Sequence, residues 1–327
     1  MAGNSEIGDA WVPFVYVIVL NHNGKHHLEY CLPSLLATEY PNYRIVLVDN
    51  ASTDGSIEYT RQNFPEIHVV ENEKNLGWAG GNNVGIRYAL DCGADFVVLQ
   101  NNDTKVAPMW LTGAVQVCEA NPRIGLVGFR MLQEYVQGED PDQEQFRALS
   151  MAWEKLEYES THHITGAALF VRADVFCEVG LIDESYFAYS EEDDLEKRAL
   201  RAGYQLVRIN VPLWHYNGGF WRKQFLRSSV LALRNNIRCM IKNDTPRSIA
   251  HQIVWLIRFV CPPRLEYDIR IPHFRRLRPS NFAVNNAILL YALLHNLLFL
   301  PATLWARHQD ERRIAQARQR WARVPET

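Results

Sequence analysis

Much that would place this chain in a familiar functional class is missing from it. Its six cysteines (Cys31, Cys92, Cys118, Cys177, Cys239 and Cys261) form no C-x-x-C pair and no cysteine–histidine spacing of a zinc site. Most lie in apolar surroundings, where a thiol behaves as a small hydrophobe. Neither G-x-G-x-x-G nor G-x-x-x-x-G-K-[ST] occurs, so no dinucleotide turn and no P-loop is indicated. The first residues lack the basic stretch and apolar core of a secretory leader, and a reducing cytoplasm is the expected compartment. No internal repeat or low-complexity tract stands out. Lysine ends at Lys242: from Arg264 onward eleven arginines face five acidic residues, a local +6 in a chain of net charge −3. The remainder is therefore acidic, and an anionic partner is expected for that end alone. Those arginines are tied to apolar helices, so anionic lipid fits better than nucleic acid.

What is present begins with alternation. FVYVIVL (14–20) is a near-continuous β-branched run that reads as a strand buried on both faces. RIVLV (44–48), IHVV (67–70) and DFVVLQ (95–100) read as three more strands, with helical patterns between them at 28–36, about 56–63 and up to Gly93. Pro33 interrupts the first of these helices. Strand–helix alternation implies right-handed β-α-β units and a mostly parallel sheet. Residues 131–163 are polar and carry eight acidic residues, an expected excursion over the sheet edge. The run 164–171, a short helix to Gly180, a helix from about Ser190 to Gly203 and the strand QLVRI (205–209) follow. The last third is of another kind. Residues 249–260 form an apolar helical pattern, and 279–306 contain no charged residue. Asn285, Asn286, His295, Asn296 and Pro301 interrupt that stretch, and arginines flank it. An interfacial helix pair is expected ahead of a transmembrane span, with packing on the catalytic domain or a homodimer contact as the competing roles.

In an open parallel sheet the ligand lies outside the carboxyl ends of the strands. Three such ends carry unusual polar residues: Asn21, then Asp49-Asn50, then Asn101-Asn102-Asp103. Turn chemistry explains each of them singly, but three at one edge point to a binding site. Asp103 offers a hard oxygen ligand for Mg²⁺ or Mn²⁺. The segment Asn75-Leu76-Gly77-Trp78-Ala79-Gly80-Gly81-Asn82-Asn83 opens a helix, and its glycines let backbone approach a ligand. In Ser190-Glu191-Glu192-Asp193-Asp194, a capping box accounts for Ser190 with Asp193, and an Arg198 pair partly accounts for Asp194. The surplus carboxylates at a helix start supply what a general base requires. His215, after the last strand, sits among aromatics and reads as either a packed residue or a ligand.

In this order the stretches VIVLNHNG, VDNASTDGS, NLGWAGGNNVG, LQNNDT, TGAALFVRADVFCEVGLIDESYFAYSEEDDLEKRALRAGY and WHY resemble the family 2 glycosyltransferases of GT-A fold. The resemblance is closest to rhamnosyltransferase-like and galactofuranosyltransferase-like bacterial members and covers most of residues 15–240. It implies an α/β GT-A domain, with residues 12–130 binding a nucleotide-sugar donor and 131–245 completing the acceptor and catalytic half. Residues 246–327 would form a C-terminal helical, membrane-associated region. It implies that Asn21, Asp49 and Asn50 line the nucleotide pocket, and that Asn75, Gly77 and Gly80 shape the sugar–diphosphate side. Asn101-Asn102-Asp103 would stand for the D-x-D motif, with Asp103 and His215 as ligands of a divalent metal, Mg²⁺ or Mn²⁺. Where the family often has Glu-Asp-x-Asp, the base position is Glu192 here, with Asp194 its competitor. Asn101 in place of the first D-x-D aspartate removes one carboxylate from the metal.

The activity implied is inverting, metal-dependent transfer of a sugar from a nucleotide-diphosphate donor to a glycan or lipid-linked glycan acceptor at the inner face of the plasma membrane. A sugar-nucleotide nucleotidyltransferase would instead carry a G-x-G-T-R-like loop after the first strand, where this chain has Asn21-His22-Asn23-Gly24-Lys25. A catalytically silent nucleotide-sugar-binding protein of the same fold is the other alternative.

Overall fold

A computed structural model describes residues 11–132, 155–216, 225–260 and 282–321. Its centre is a nine-stranded sheet. The first four strands are β1 (Val15–Asn21), β2 (Tyr43–Asp49), β3 (His68–Glu71) and β4 (Phe96–Asn101), all mutually parallel. They alternate with α1 (Lys25–Leu36), α2 (Ser56–Asn63) and α3 (Gly77–Asp91). Pro33 lies inside α1 instead of ending it, because Leu28, Cys31, Leu32 and Leu35 bury a common face on both sides of it.

The second half of the sheet is mixed. It contains β5 (Thr104–Val106), β6 (Ile124–Leu132), β7 (Tyr158–Ser160), β8 (Ala168–Arg172) and β9 (Gln205–His215). The strand order is β3-β2-β1-β4-β8-β6-β9-β5, with β7 also paired to β9. β8 runs antiparallel between β4 and β6, whereas β6 and β9 are parallel. Of the run 164–171 only its end is strand. Most of the acidic segment 131–163 lies outside the described residues, and Tyr158–Ser160 at its end is paired in the sheet.

Helices cover both faces. One core layer joins α1 and α4 (Trp110–Ala120) to the sheet through Leu32, Leu35, Trp110 and Phe170. The other joins α3, α5 (Ala173–Val179) and α6 (Glu191–Ala202) through Ile86, Val175 and Leu195. The C-terminal helices are α7 (Phe225–Asn243), α8 (Pro246–Val260), α9 (Phe282–Leu298) and α10 (Leu300–Trp321). α7, α8 and α9 share a small core of Leu233, Ile237, Leu256 and Ile288. α10 returns to the main domain, where Ile314, Ala317 and Trp321 enter its core. Among the described residues no single helix is long and apolar enough to cross a membrane. α9 and α10 pass that test only as a pair bent by 65°.

Candidate active site

Parallel pairing sets Asn21 opposite Asp49, and Leu20 opposite Asn101, so three strand ends fall on one edge. There the polar residues form one network. Asn21, fully buried, donates to Asp49 Oδ2 (2.8 Å) and Ser52 Oγ (3.1 Å), and its Oδ1 accepts from Asn102 Nδ2 (2.7 Å). Asp49 Oδ1 accepts the Ser52 amide (2.7 Å). Asn50 donates to the Gly77 carbonyl (3.0 Å) and accepts from Asn72 (2.9 Å). Asn75 Oδ1 accepts the Gly77 amide (2.8 Å). The five predicted residues Asn21, Asp49, Asn50, Asn75 and Gly77 are thus brought together. Several are hydrogen-bonded to one another rather than facing outward, and Asp49 in particular has both oxygens already engaged.

The Gly-rich segment is helix rather than loop, since α3 begins at Gly77 itself. Gly77 has φ +74°, and a Cβ there would run into the Phe187 carbonyl. That carbonyl accepts the Trp78 amide at 2.6 Å. Gly80 packs against Leu76, where a Cβ would lie 2.9 Å from the Leu76 side chain. The Trp78 indole donates to Asn101 Oδ1 at 3.0 Å, which ties the start of α3 to the end of β4. Asn101 is therefore committed to a protein partner. The Trp78 ring also flanks Gly166: a Cβ there would lie 3.6 Å from Trp78 and 3.4 Å from Glu192 Oε1.

Glu192 is half-buried and its Oε2, shielded from solvent, has no hydrogen-bond partner. Burial, reinforced by the charge of Asp193, pushes its carboxyl up to about 8. Burial also lifts the neighbouring Glu191 well above the usual range, with the Glu192 charge adding to it. Asp194 is placed differently. It is fully buried and binds Arg198 Nε (2.9 Å), Lys242 Nζ (2.9 Å) and Asn243 Nδ2 (2.8 Å). Burial would raise its carboxyl, but Lys242 and Arg198 outweigh that and hold it low. The geometry makes Asp194 a structural anchor of α6, and leaves Glu192 with an unpartnered oxygen beside Gly166 and Trp78.

The capping box expected at Ser190 does not form. Ser190 takes a left-handed conformation (φ +67°) and makes no side-chain cap. Phe187 (φ +63°) and Tyr189 (φ +78°) are also left-handed, so the turn leading into the acidic helix is strained. Asn235 on α7 holds this turn: its amide donates to the carbonyls of Tyr186 (2.8 Å), Ala188 (2.7 Å) and Tyr189 (2.9 Å). Sequence reading missed Asn235, because nothing local marks a helical asparagine 43 residues beyond Glu192 as its support.

β5 pairs antiparallel with β9, Thr104 opposite His215, which brings Asp103 Oδ1 within 3.3 Å of His215 Nε2. Both side chains are partly exposed. Two ligand atoms at this spacing fit one hard cation that takes its other ligands from water and phosphate. His27, also missed, lies beside them: its ring packs tilted against Tyr216, centroids 5.0 Å apart, and its Nδ1 meets Tyr30 Oη at 2.6 Å. Burial lowers His27 to about 4, against the opposing pull of Asp103, so it is neutral near pH 7.

Comparison with known proteins bears on the family and the fold. The N-acetylglucosaminyl-diphospho-decaprenol L-rhamnosyltransferase of Mycobacterium tuberculosis is 27% identical over 224 residues, 59% of this chain and 72% of that protein. The low-salt glycan biosynthesis hexosyltransferase Agl10 of Haloferax volcanii is 24% identical over 175 residues, 51% of this chain and 56% of that protein. The fold matches that of the mannosyltransferase PcManGT from Pyrobaculum calidifontis, solved with GDP-Man and Mn²⁺ (TM-score 0.54, 18% identity, 96% of this chain and 89% of that one). It also matches S. aureus TarS 1-349 solved with UDP-GlcNAc (TM-score 0.55, 15% identity, 94% and 91%). These are GT-A glycosyltransferases. The family model described as Glycosyl transferase family 2 matches residues 16–180, the stretch that carries the strand-end asparagines, Asp49, Asp103 and the α3 glycines. The chain is a member of glycosyl transferase family 2.

Proposed function

We propose that this enzyme transfers one hexose or deoxyhexose from a nucleoside-diphosphate donor to the hydroxyl of a lipid-linked glycan, inverting the anomeric centre. The observation that carries the reading is Glu192, a carboxylate with a free, shielded oxygen on the Trp78–Gly166 side of the sheet edge that also presents Asp103 and His215. Asn21, Asp49 and Asn50 shape the nucleoside end, and the α3 N-terminus with Gly77 and Gly80 faces the diphosphate. Asp103 and His215 would hold a Mg²⁺ or Mn²⁺ ion, which supplies charge neutralisation to the departing diphosphate. Glu192 accepts the proton of the acceptor hydroxyl as that oxygen attacks the anomeric carbon from the face opposite the diphosphate. A single displacement of this kind inverts configuration and needs no covalent sugar–enzyme species. A raised carboxyl suits a base working near neutral pH.

The acceptor side rests on the C-terminal helices. Leu290, Leu294, Leu297, Leu298, Phe299 and Trp305 are exposed around the α9–α10 bend. Together with the arginine-rich C-terminal third they would seat the enzyme on anionic lipid at the inner face of the plasma membrane. The rhamnosyltransferase relative, whose name gives a diphospho-decaprenol substrate, supports a lipid-linked acceptor, and thymidine-diphospho-rhamnose and uridine-diphospho-hexoses are the first donors to assay.

The deciding experiment measures donor binding and single-turnover transfer in parallel. Glu192→Gln is expected to keep donor affinity within about twofold while transfer falls about 10²–10⁴-fold. Transfer within tenfold of wild type by a folded Glu192→Gln protein would remove Glu192 as the base.

A further inference from the structure

The segment ahead of β8 meets α6 at a group of side chains that sugar transfer does not use. His163 Nδ1 lies 3.3 Å from Asp193 Oδ1 and 3.1 Å from Glu196 Oε2. The three ligand atoms fall within 4.8 Å of one another. Asp193 and Glu196, three residues apart, share one face of α6. His163 comes from a turn pinned by Thr161, whose hydroxyl donates to the His163 carbonyl (2.9 Å) and accepts its amide (3.3 Å). Glu196 is 1% exposed, and its second oxygen accepts the Ile164 amide at 2.8 Å. That bond orients the carboxylate as an outer-shell partner orients a metal ligand.

One imidazole nitrogen carries at most one proton, yet two carboxylate oxygens converge on Nδ1. Ligand atoms roughly 2.0–2.2 Å from a tetrahedral ion stand about 3.3 Å apart, which matches both measured edges.

We propose that His163, Asp193 and Glu196 form a second divalent-cation site, best matched to Zn²⁺ and separate from the Asp103–His215 pair. One imidazole and two carboxylates leave a fourth position for water. The ion ties the segment ahead of β8 to the helix that bears Glu192. This site does not depend on the donor reading, and it is tested without nucleotide.

The full-length protein, dialysed against chelator, is titrated with ZnCl₂ by calorimetry as wild type, His163→Ala, Glu196→Gln and Asp103→Ala. One Zn²⁺ per chain is expected for wild type and for Asp103→Ala, with at least tenfold weaker binding in the other two. Zn²⁺ should also raise the melting temperature of wild type and not that of His163→Ala. The His163 side chain is about half exposed, whereas Glu196 is buried, so the His163 alanine variant is the one expected to keep a native circular dichroism spectrum. The proposal fails if folded wild type takes up no Zn²⁺, if folded His163→Ala binds it as tightly as wild type, or if Asp103→Ala loses it.

Discussion

The two candidate bases show how much one residue's surroundings decide. Glu192 and Asp194 are two positions apart on the same helix, yet only Asp194 has its charge met by Arg198 and Lys242. Asp194→Asn is therefore expected to act mainly on stability, by about 3–5 kcal/mol, since it leaves buried cations unpaired. Urea denaturation distinguishes this from Glu192→Gln, whose melting curve should stay near that of wild type while transfer collapses. Gly77 is constrained in a different way. Its positive φ and the Phe187 carbonyl leave no room for a side chain, so Gly77→Ala should cost about 1–3 kcal/mol. Donor affinity should fall with it, which a titration with nucleoside diphosphate would read.

At the scale of elements, the C-terminal helices hold the acidic helix α6 from behind. Lys242 on α7 reaches Asp194 on α6 (2.9 Å), Asp183 in the preceding loop (3.1 Å) and Asp310 on α10 (3.0 Å). Lys242→Met should lower stability by about 3–5 kcal/mol at pH 7. The pH dependence follows from Asp183. Burial would raise its carboxyl, but Lys242 and Arg238 hold it well below the ordinary range. A carboxylate depressed in the folded state stabilises above its unfolded pKa of about 3.9, and that contribution is lost as pH falls through the folded value. Denaturation of wild type and Lys242→Met should thus show a constant gap from pH 7 to about 5 that narrows below about pH 4. Asn235 works by similar remote support: Asn235→Leu, which frees three carbonyls of the 186–190 turn, should lower the rate of transfer more than donor affinity.

For the whole molecule, the same helices have one face in the core and another in solvent. Deleting everything after residue 246 would remove Ile314, Ala317 and Trp321 from the main core, so truncation confounds folding with lipid binding. Replacing exposed side chains separates them. Leu294→Glu with Leu297→Glu should reduce sedimentation with anionic vesicles at least fivefold and leave the melting temperature within a few degrees. If partitioning is unchanged, the lipid role of this face is lost.

Four parallel strands and their helices were legible because a buried parallel strand must be apolar throughout and amphipathic helices repeat at 3.6 residues. The residues at their carboxyl ends followed, since chain direction alone puts Asn21, Asp49 and Asn101 on one edge. Over 104–132 and 225–243 the local pattern marks no element, although α4 buries Trp110, Leu111, Ala114 and Cys118 at helical spacing. Pro33 and the Ser190 cap depart from expectation for one physical reason: local preferences, worth about 3 kcal/mol for a helical proline and about 1 kcal/mol for a cap, yield to burial and to a turn clamped from outside. The sequence by itself determined the α/β domain, its family and the residue types at its binding edge. Only the tertiary structure decided which acid of the Glu191–Asp194 run is paired with Arg198 and Lys242, that Asn235 holds its turn, and that His163 joins Asp193 and Glu196. Those outcomes depend on contacts between residues up to 49 positions apart, which no local pattern encodes.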